Sequence, residues 1–337
     1  MSAAIQGGKV DMAETMRAAV MYEAGGPEVL KVEDRPVPVA RAGEVLIRVK
    51  AFGLNRSELF TRQGLSPNVK LPRVLGIEAV GVVASAPGGE FADGTTVATV
   101  MGGMGRDFDG GYAEYTVVPA KQVQAVKTTL GWEVLGAVPE MLQTAWGSVF
   151  KSLQMKEGER LLVRGGTTSV GLAAAAIAKG KGIKVVSTTR NPAREGLLRE
   201  SGAEDVVVDT GAVAEEIGRR YPGGVDKVLE LIGVTTLEDS LRCARQGGIV
   251  CMTGIVGNKW SFDNFAPMTS IPTAVCLTSY AGESPDFMAM PFENLVGQVE
   301  RGELKVQVGR VFSLDQIVAA HQMMEANTAG GKIVVVV

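Results

Sequence analysis

The stretch from Arg160 to Arg190 limits the possible folds more than any other part of this chain. It reads RLLVRGGTTSVGLAAAAIAKGKGIKVVSTTR: a short apolar strand, a glycine-bearing turn, an alanine-rich helix, a second apolar strand and a closing arginine. A helix that starts directly after a strand presents unpaired N–H groups at its N-terminus, and such a unit holds a dinucleotide pyrophosphate. Against the spacing G-x-G-x-x-G the turn offers Gly166, Thr167, Thr168, Ser169, Val170 and Gly171, so threonine stands where the middle glycine belongs. Thr168 gives up some of the close backbone approach, and its hydroxyl is expected to donate to a phosphate oxygen instead. The plain alternative is a strand–helix turn with no ligand.

The second strand ends in Ser187, Thr188, Thr189 and Arg190, with Arg194 a turn further on. A carboxylate that binds the ribose hydroxyls belongs roughly 20 residues after such a turn, and none is found here. A carboxylate would repel a 2′-phosphate, whereas a guanidinium binds one through two parallel hydrogen bonds. The expected cofactor is therefore NADPH, with Thr188, Thr189 and Arg190 among its contacts. Ile232 and Gly254, which follow strands predicted at Val225–Leu231 and Gly248–Thr253, are counted with them. The alternative for Arg190 is a solvated charge beside a helix.

At 337 residues the chain suits two domains with ample core. Lys and Arg number 34 and Asp and Glu 37, so no basic excess points to a nucleic-acid partner. Apolar runs are too short for a membrane span. Residues 1–16 lack the basic start, apolar stretch and cleavage site of a signal peptide, and a flexible leader in a cytoplasmic protein is expected. The three cysteines, Cys243, Cys251 and Cys276, suggest neither a disulfide frame nor a metal knuckle.

Residues 17 to about 125 alternate strand-like runs with glycine turns, and Asn55–Arg62 is a candidate short helix. Beyond about 132, helices and strands alternate. Five strands joined by helices, beginning with Arg160–Arg164, imply a doubly wound parallel sheet. A mixed segment closes the chain. The expected division is an α/β protein with one domain from 17–135 plus 276–337 and a nucleotide domain at 136–275.

That order of elements, with the phrases G-E-V-L-I-R-V (43–49), A-F-G-L-N-R-S-E-L-F-T-R-Q-G (51–64), P-R-V-L-G-I-E-A-V-G-V-V (72–83), G-G-Y-A-E-Y (110–115), T-A-W (144–146), G-V-D-K-V-L-E-L-I-G (224–233) and G-G-K-I-V (330–334), resembles the medium-chain dehydrogenase/reductase superfamily. Within it the chain is similar to the zinc-independent quinone oxidoreductases. The resemblance covers nearly everything from Arg17 to Val337. It implies a GroES-like β-rich domain holding both chain ends, a Rossmann domain, an active site between them and a homodimer formed by pairing sheet edges of the nucleotide domains. Zinc-dependent relatives carry a cysteine where this chain has Asn55 and a histidine where it has Ile77. Their four structural cysteines have no counterpart in Met101–Tyr115. Zinc prefers Cys and His ligands, so no metal site is expected, and Lewis-acid activation of an alcohol is disfavoured.

What remains is a nicotinamide delivering hydride to an acceptor that is already electrophilic, a quinone or an α,β-unsaturated carbonyl. The resemblance implies that the Asn55 amide donates to the acceptor oxygen and that Thr144 bonds the nicotinamide end; a helix cap and a buried helical threonine are the respective alternatives. Glu78 is expected to be structural, paired with Arg62. His321, the only histidine, is expected on a helix surface or partly buried. Bacterial relatives carry tyrosines where this chain has Phe60 and Ser66, so Phe60 is expected to stack a flat acceptor. Water or Ser66 would supply the proton, with Tyr112 and Tyr280 as further candidates. Two other readings stay open: a reductase of acyl-thioester double bonds, for which no basic trough stands out, and a crystallin-like protein that binds NADPH without turnover.

Overall fold

The computed structural model describes residues 14–337. Residues 1–13 of the expected leader lie outside the described residues, and Thr15 and Met16 already belong to the first strand, Thr15–Met21.

One mixed sheet has seven strands. In spatial order they are Val308–Ser313, Lys332–Val336, Glu44–Gly53, Glu78–Ser85, Thr96–Val100 and Val123–Ala125, with Tyr115–Pro119 also paired to Glu44–Gly53. In Glu44–Gly53, buried Val45, Ile47 and Val49 alternate with more exposed residues, the period-two pattern of a strand with one covered face. The last strand of the chain pairs antiparallel with this one, placing Val334 opposite Gly53 and Val336 opposite Ala51. The C-terminus thus returns to the N-terminal sheet, and Lys332 arrives beside the segment that leads to Asn55. Thr15–Met21, Leu30–Pro36 and Arg73–Val74 form a smaller sheet.

The second large sheet is wholly parallel, in the order Asp205–Val208, Lys184–Thr189, Arg160–Arg164, Val225–Glu230, Ala244–Met252, Cys276–Ser279. The strand order reverses between Arg160–Arg164 and Val225–Glu230, and ligands of such sheets bind at that reversal. Its central strands are nearly continuous apolar runs, with Leu161, Leu162 and Val163 fully buried, because helices cover both faces. The helix Ser169–Lys179 packs closely because its buried residues include Ala173, Ala174, Ala175 and Ala178. The sheet has six strands where the sequence suggests five. The sixth, Cys276–Ser279, is a mostly exposed edge strand without an apolar run, so the predicted boundary at 276 cuts on the wrong side of it.

Candidate active site

The C-terminal ends of the parallel strands face one wall of the mixed sheet across a cleft of about 1240 Å³. Of the residues singled out in the sequence, Asn55, Phe60 and Thr144 line it from one side. Thr167, Thr168, Ser169 and Val170 line it at the turn, and Thr188, Thr189, Arg190, Ile232 and Gly254 line it along the strand ends. Gly166 and Gly171 do not. A side chain on Gly166 would press on Ser187 and Thr188, and one on Gly171 would sit 2.7 Å from the Gly165 carbonyl. Both are packing glycines. The residue that makes the turn is Gly165, at a φ of +84° that disfavours any side chain.

Thr168 corrects a second expectation. Its hydroxyl donates to the Gly165 carbonyl at 2.9 Å and accepts the Gly171 N–H at 3.0 Å, so its one proton is spent capping the helix Ser169–Lys179. The signal was readable, since threonine is a preferred residue just before a helix. The N–H groups of Ser169 and Val170 open the helix and have no acceptor among the described residues, as an anion site requires.

Along the second strand, the Thr188 hydroxyl accepts the Gly165 N–H at 3.1 Å and pins the turn. Thr189 and Asn191 form a tight local bend, with Asn191 capping the turn Pro192–Arg194. Arg190 and Arg194 emerge from this bend exposed, lining the cleft, with no carboxylate partner among the described residues. The nearby acid, Asp209, is bonded through both oxygens to the buried Arg164, at 3.0 and 3.1 Å. Sequence reasoning missed this pair. Glu230 accepts the N–H groups of Ile232 and Gly233 at 2.6 and 3.0 Å, which sets the lip where Ile232 meets Gly254.

On the opposite wall Lys332 organises a buried cluster that the sequence did not reveal. Its ammonium lies 3.1 Å from Glu78 and 3.4 Å from Glu140 and donates to the Asn55 Oδ1. Burial alone would lower its pKa, but the carboxylates of Glu78 and Glu140 outweigh that and raise it. Glu78 also accepts the Asn55 Nδ2 at 2.9 Å and the Glu140 N–H at 2.9 Å. The expected Glu78–Arg62 pair is absent, because the helix Arg56–Arg62 turns Arg62 away to Glu325 and the Gly25 carbonyl. The second Asn55 amide contact, to Glu58, is long at 3.4 Å. Asn55 does stand just before a helix, but its amide is spent on the cluster; Glu58 bonds the Asn55 N–H at 3.1 Å. Burial lifts Glu58 to about 7, with the Ile77 N–H pulling it down and Glu78 pushing it further up. Thr144 donates to Glu140 at 2.7 Å, so one chain of contacts runs from the cleft to Lys332.

Phe60 meets Trp260 edge-on, with ring centroids 5.3 Å apart, and both face the cleft. Trp260 is 59% exposed and was not foreseen. Ser66 shares a 2.7 Å hydrogen bond with Thr61. The Tyr280 hydroxyl lies at the cleft but donates to Asp286 at 3.3 Å. Tyr112 is fully buried away from the cleft, stacked on Phe52 and bonded to His321 at 3.1 Å, which removes it from the proton-donor candidates. His321 is itself fully buried, contrary to expectation, and burial with the Arg62 charge pushes its pKa down to about 3. It is a core residue. Among the described residues no group of three or more His, Cys, Asp or Glu is arranged to hold a metal ion.

A mixed, largely antiparallel sheet facing a doubly wound parallel sheet across such a cleft is a two-domain architecture with a nucleotide-type helix N-terminus at its centre. The chain matches the alcohol dehydrogenase GroES-like domain over residues 41–128 and the zinc-binding dehydrogenase family over residues 201–335. It is 30% identical to the quinone oxidoreductase of Homo sapiens over 335 residues, covering 95% of this chain and 97% of that one. Among solved structures it is similar to an NAD-dependent alcohol dehydrogenase (29% identity, TM-score 0.84, 96% of this chain and 100% of that one). It is also similar to the mycobacterial protein Rv1454c complexed with NADPH (25% identity, TM-score 0.83, 96% and 100%). The chain belongs to the medium-chain dehydrogenase/reductase superfamily, in its quinone oxidoreductase family.

Proposed function

We propose that this protein transfers hydride from NADPH to a quinone or an α,β-unsaturated carbonyl without zinc. The observation that carries the reading is the cleft that joins a helix N-terminus and two arginines without a carboxylate partner among the described residues to an amide, a hydroxyl and an aromatic pair. The residues fit the cofactor: the Ser169 and Val170 N–H groups would hold the pyrophosphate, and Arg190 and Arg194 the 2′-phosphate. NADPH supplies the hydride when bound. Lys332 and Glu78 fix the Asn55 amide, and its weak contact to Glu58 is the one an acceptor oxygen can take over as it gains negative charge. Thr144, donating to Glu140, offers its lone pairs to the carboxamide end of the nicotinamide. Phe60 and Trp260 provide a flat apolar surface for the acceptor. In place of the histidine and cysteines that zinc prefers, the cluster has Asn55, Ile77 and an ammonium already seated between carboxylates. The proposed homodimer would pair free edges of the parallel sheets.

The test is a panel of acceptors. Ortho- and para-quinones or small enones should oxidise NADPH in the presence of the protein, and simple alcohols should not reduce NADP. Asn55→Ala should lower turnover more than it weakens NADPH binding. Unchanged turnover would leave Asn55 a structural residue, and tight NADPH binding with no acceptor reduced would favour the crystallin-like reading. For the coenzyme, Arg190→Ala is expected to weaken NADPH binding by about 1.5–3 kcal/mol while barely changing NADH binding, as read from dissociation constants. Equal affinity of the unmodified protein for the two coenzymes would sink the assignment.

A further inference from the structure

The acceptor side of the cleft carries a guanidinium that the reaction proposed above does not use. Arg106 lies on the turn Met101–Gly110, whose Gly105 has a φ of +73° and packs against the backbone of Gly76, 2.7 Å from where a side chain would begin. That contact presses the turn flat onto the segment leading to Ile77 and Glu78 and fixes where the next residue points. Arg106 lines the cleft, half-buried, and donates to the Ser57 hydroxyl two residues after Asn55. This is its one side-chain hydrogen bond among the described residues; its buried Nε–H has no acceptor and it has no carboxylate partner there. A half-desolvated guanidinium with unspent donors is costly unless something completes it.

Its neighbours do not complete it. Arg56, on the same wall, donates to Asn258 at 2.8 Å and also lacks a carboxylate partner among the described residues. Of the acids lining the cleft, Glu140 is held by Lys332 and Thr144, Asp209 by Arg164, and exposed Glu283 caps the helix Ser284–Ala289. The acceptor wall is therefore positive, and the fork of a guanidinium matches a carboxylate.

We infer that Arg106 recognises a carboxylate on the acceptor, so that the preferred substrates are anionic enones or quinones rather than neutral ones. The inference rests on the hydride-transfer reading and narrows it.

A pair of enones tests it: trans-3-benzoylacrylate and its methyl ester, which share one skeleton while the ester replaces the carboxylate by a neutral and intrinsically more activating group. The unmodified protein should reduce the acid with a kcat/KM about tenfold or more above that of the ester, the effect of a charge-assisted hydrogen bond. Arg106→Met should lose at least about tenfold more on the acid than on the ester, and Arg106→Lys should recover part of that loss. Calorimetric binding of the unreactive 3-benzoylpropanoate in the presence of NADP is read in parallel and should weaken in Arg106→Met. An acid no better than an ester that is well reduced would overturn the inference and leave the proposed function standing. If neither enone is reduced, 3-benzoylpropanoate binding decides the inference: binding lost in Arg106→Met supports an anion site, and no binding overturns it; the hydride-transfer reading itself fails only if the quinones of the panel are not reduced either. A weakening of NADPH binding by about tenfold or more in Arg106→Met would assign the guanidinium to the coenzyme phosphates and overturn the inference as well.

Discussion

Lys332→Met is expected to destabilise the protein by about 3–5 kcal/mol, the cost of removing one partner from a buried ion cluster. Lys332 and Glu78 are both essentially inaccessible, and Glu140, at the cleft, is partly buried. Without the ammonium, Glu78 and Glu140 face each other and Glu58 with no counter-charge, and the Asn55 Oδ1 loses its donor. Methionine fills similar volume, so the loss reads electrostatics rather than a cavity. Chemical denaturation followed by fluorescence measures it. Adding Glu140→Gln to Lys332→Met should return part of the loss, because it deletes one stranded charge. A cost under about 1 kcal/mol would mean that the carboxylates simply take up protons and the cluster holds together without its cation.

Stability should also fall as pH rises through the neutral range, and Glu58 should be a main cause. Its folded pKa of about 7 lies above the ordinary value of 4.5. Below the ordinary value the carboxyl is protonated in both states and its contribution is complete. Between the two values the unfolded chain ionises freely while the folded protein retains the proton, so unfolding gains ground. Roughly 2–3 kcal/mol should be lost between about pH 5 and pH 8. Glu58→Gln isolates this term. Whatever constant offset the amide introduces against the N–H groups of Asn55 and Ile77, the stability difference between the two proteins should drift with pH by that amount. A flat difference would show that Glu58 stays ionised, with its backbone hydrogen bonds outweighing burial.

Legibility in the sequence follows the range of the interactions. The parallel sheet and its turn announce themselves because an apolar run, a glycine, an alanine-rich helix and another apolar run all lie within one short segment. The edge strand Cys276–Ser279 does not, since one open side and exposed residues remove the apolar pattern. Arg62 looks like a partner for Glu78 in sequence, yet the helix carrying it sends it to the opposite side, toward Glu325. Lys332 was visible only as part of a short motif. Its meeting with Asn55, 277 positions away, depends on the last strand folding back onto the first sheet, which no local signal encodes. Trp260 and Arg106 likewise belong to loops whose mutual placement the fold alone decides.

Arg164 has a consequence for how the cleft fills. Besides Asp209 it holds Asp239 at 2.6 Å and the Thr236 carbonyl at 3.2 Å, and Asp239 in turn accepts the Val213 N–H at 2.9 Å. Strand ends and two helix starts are thereby riveted together directly beneath the wall of the cleft that the parallel strands form. The facing wall is likewise pinned, by Lys332 between Glu78 and Glu140 and by the packing of Gly105 on Gly76. With both walls set in advance, little of a ligand's binding energy goes into ordering the backbone around it.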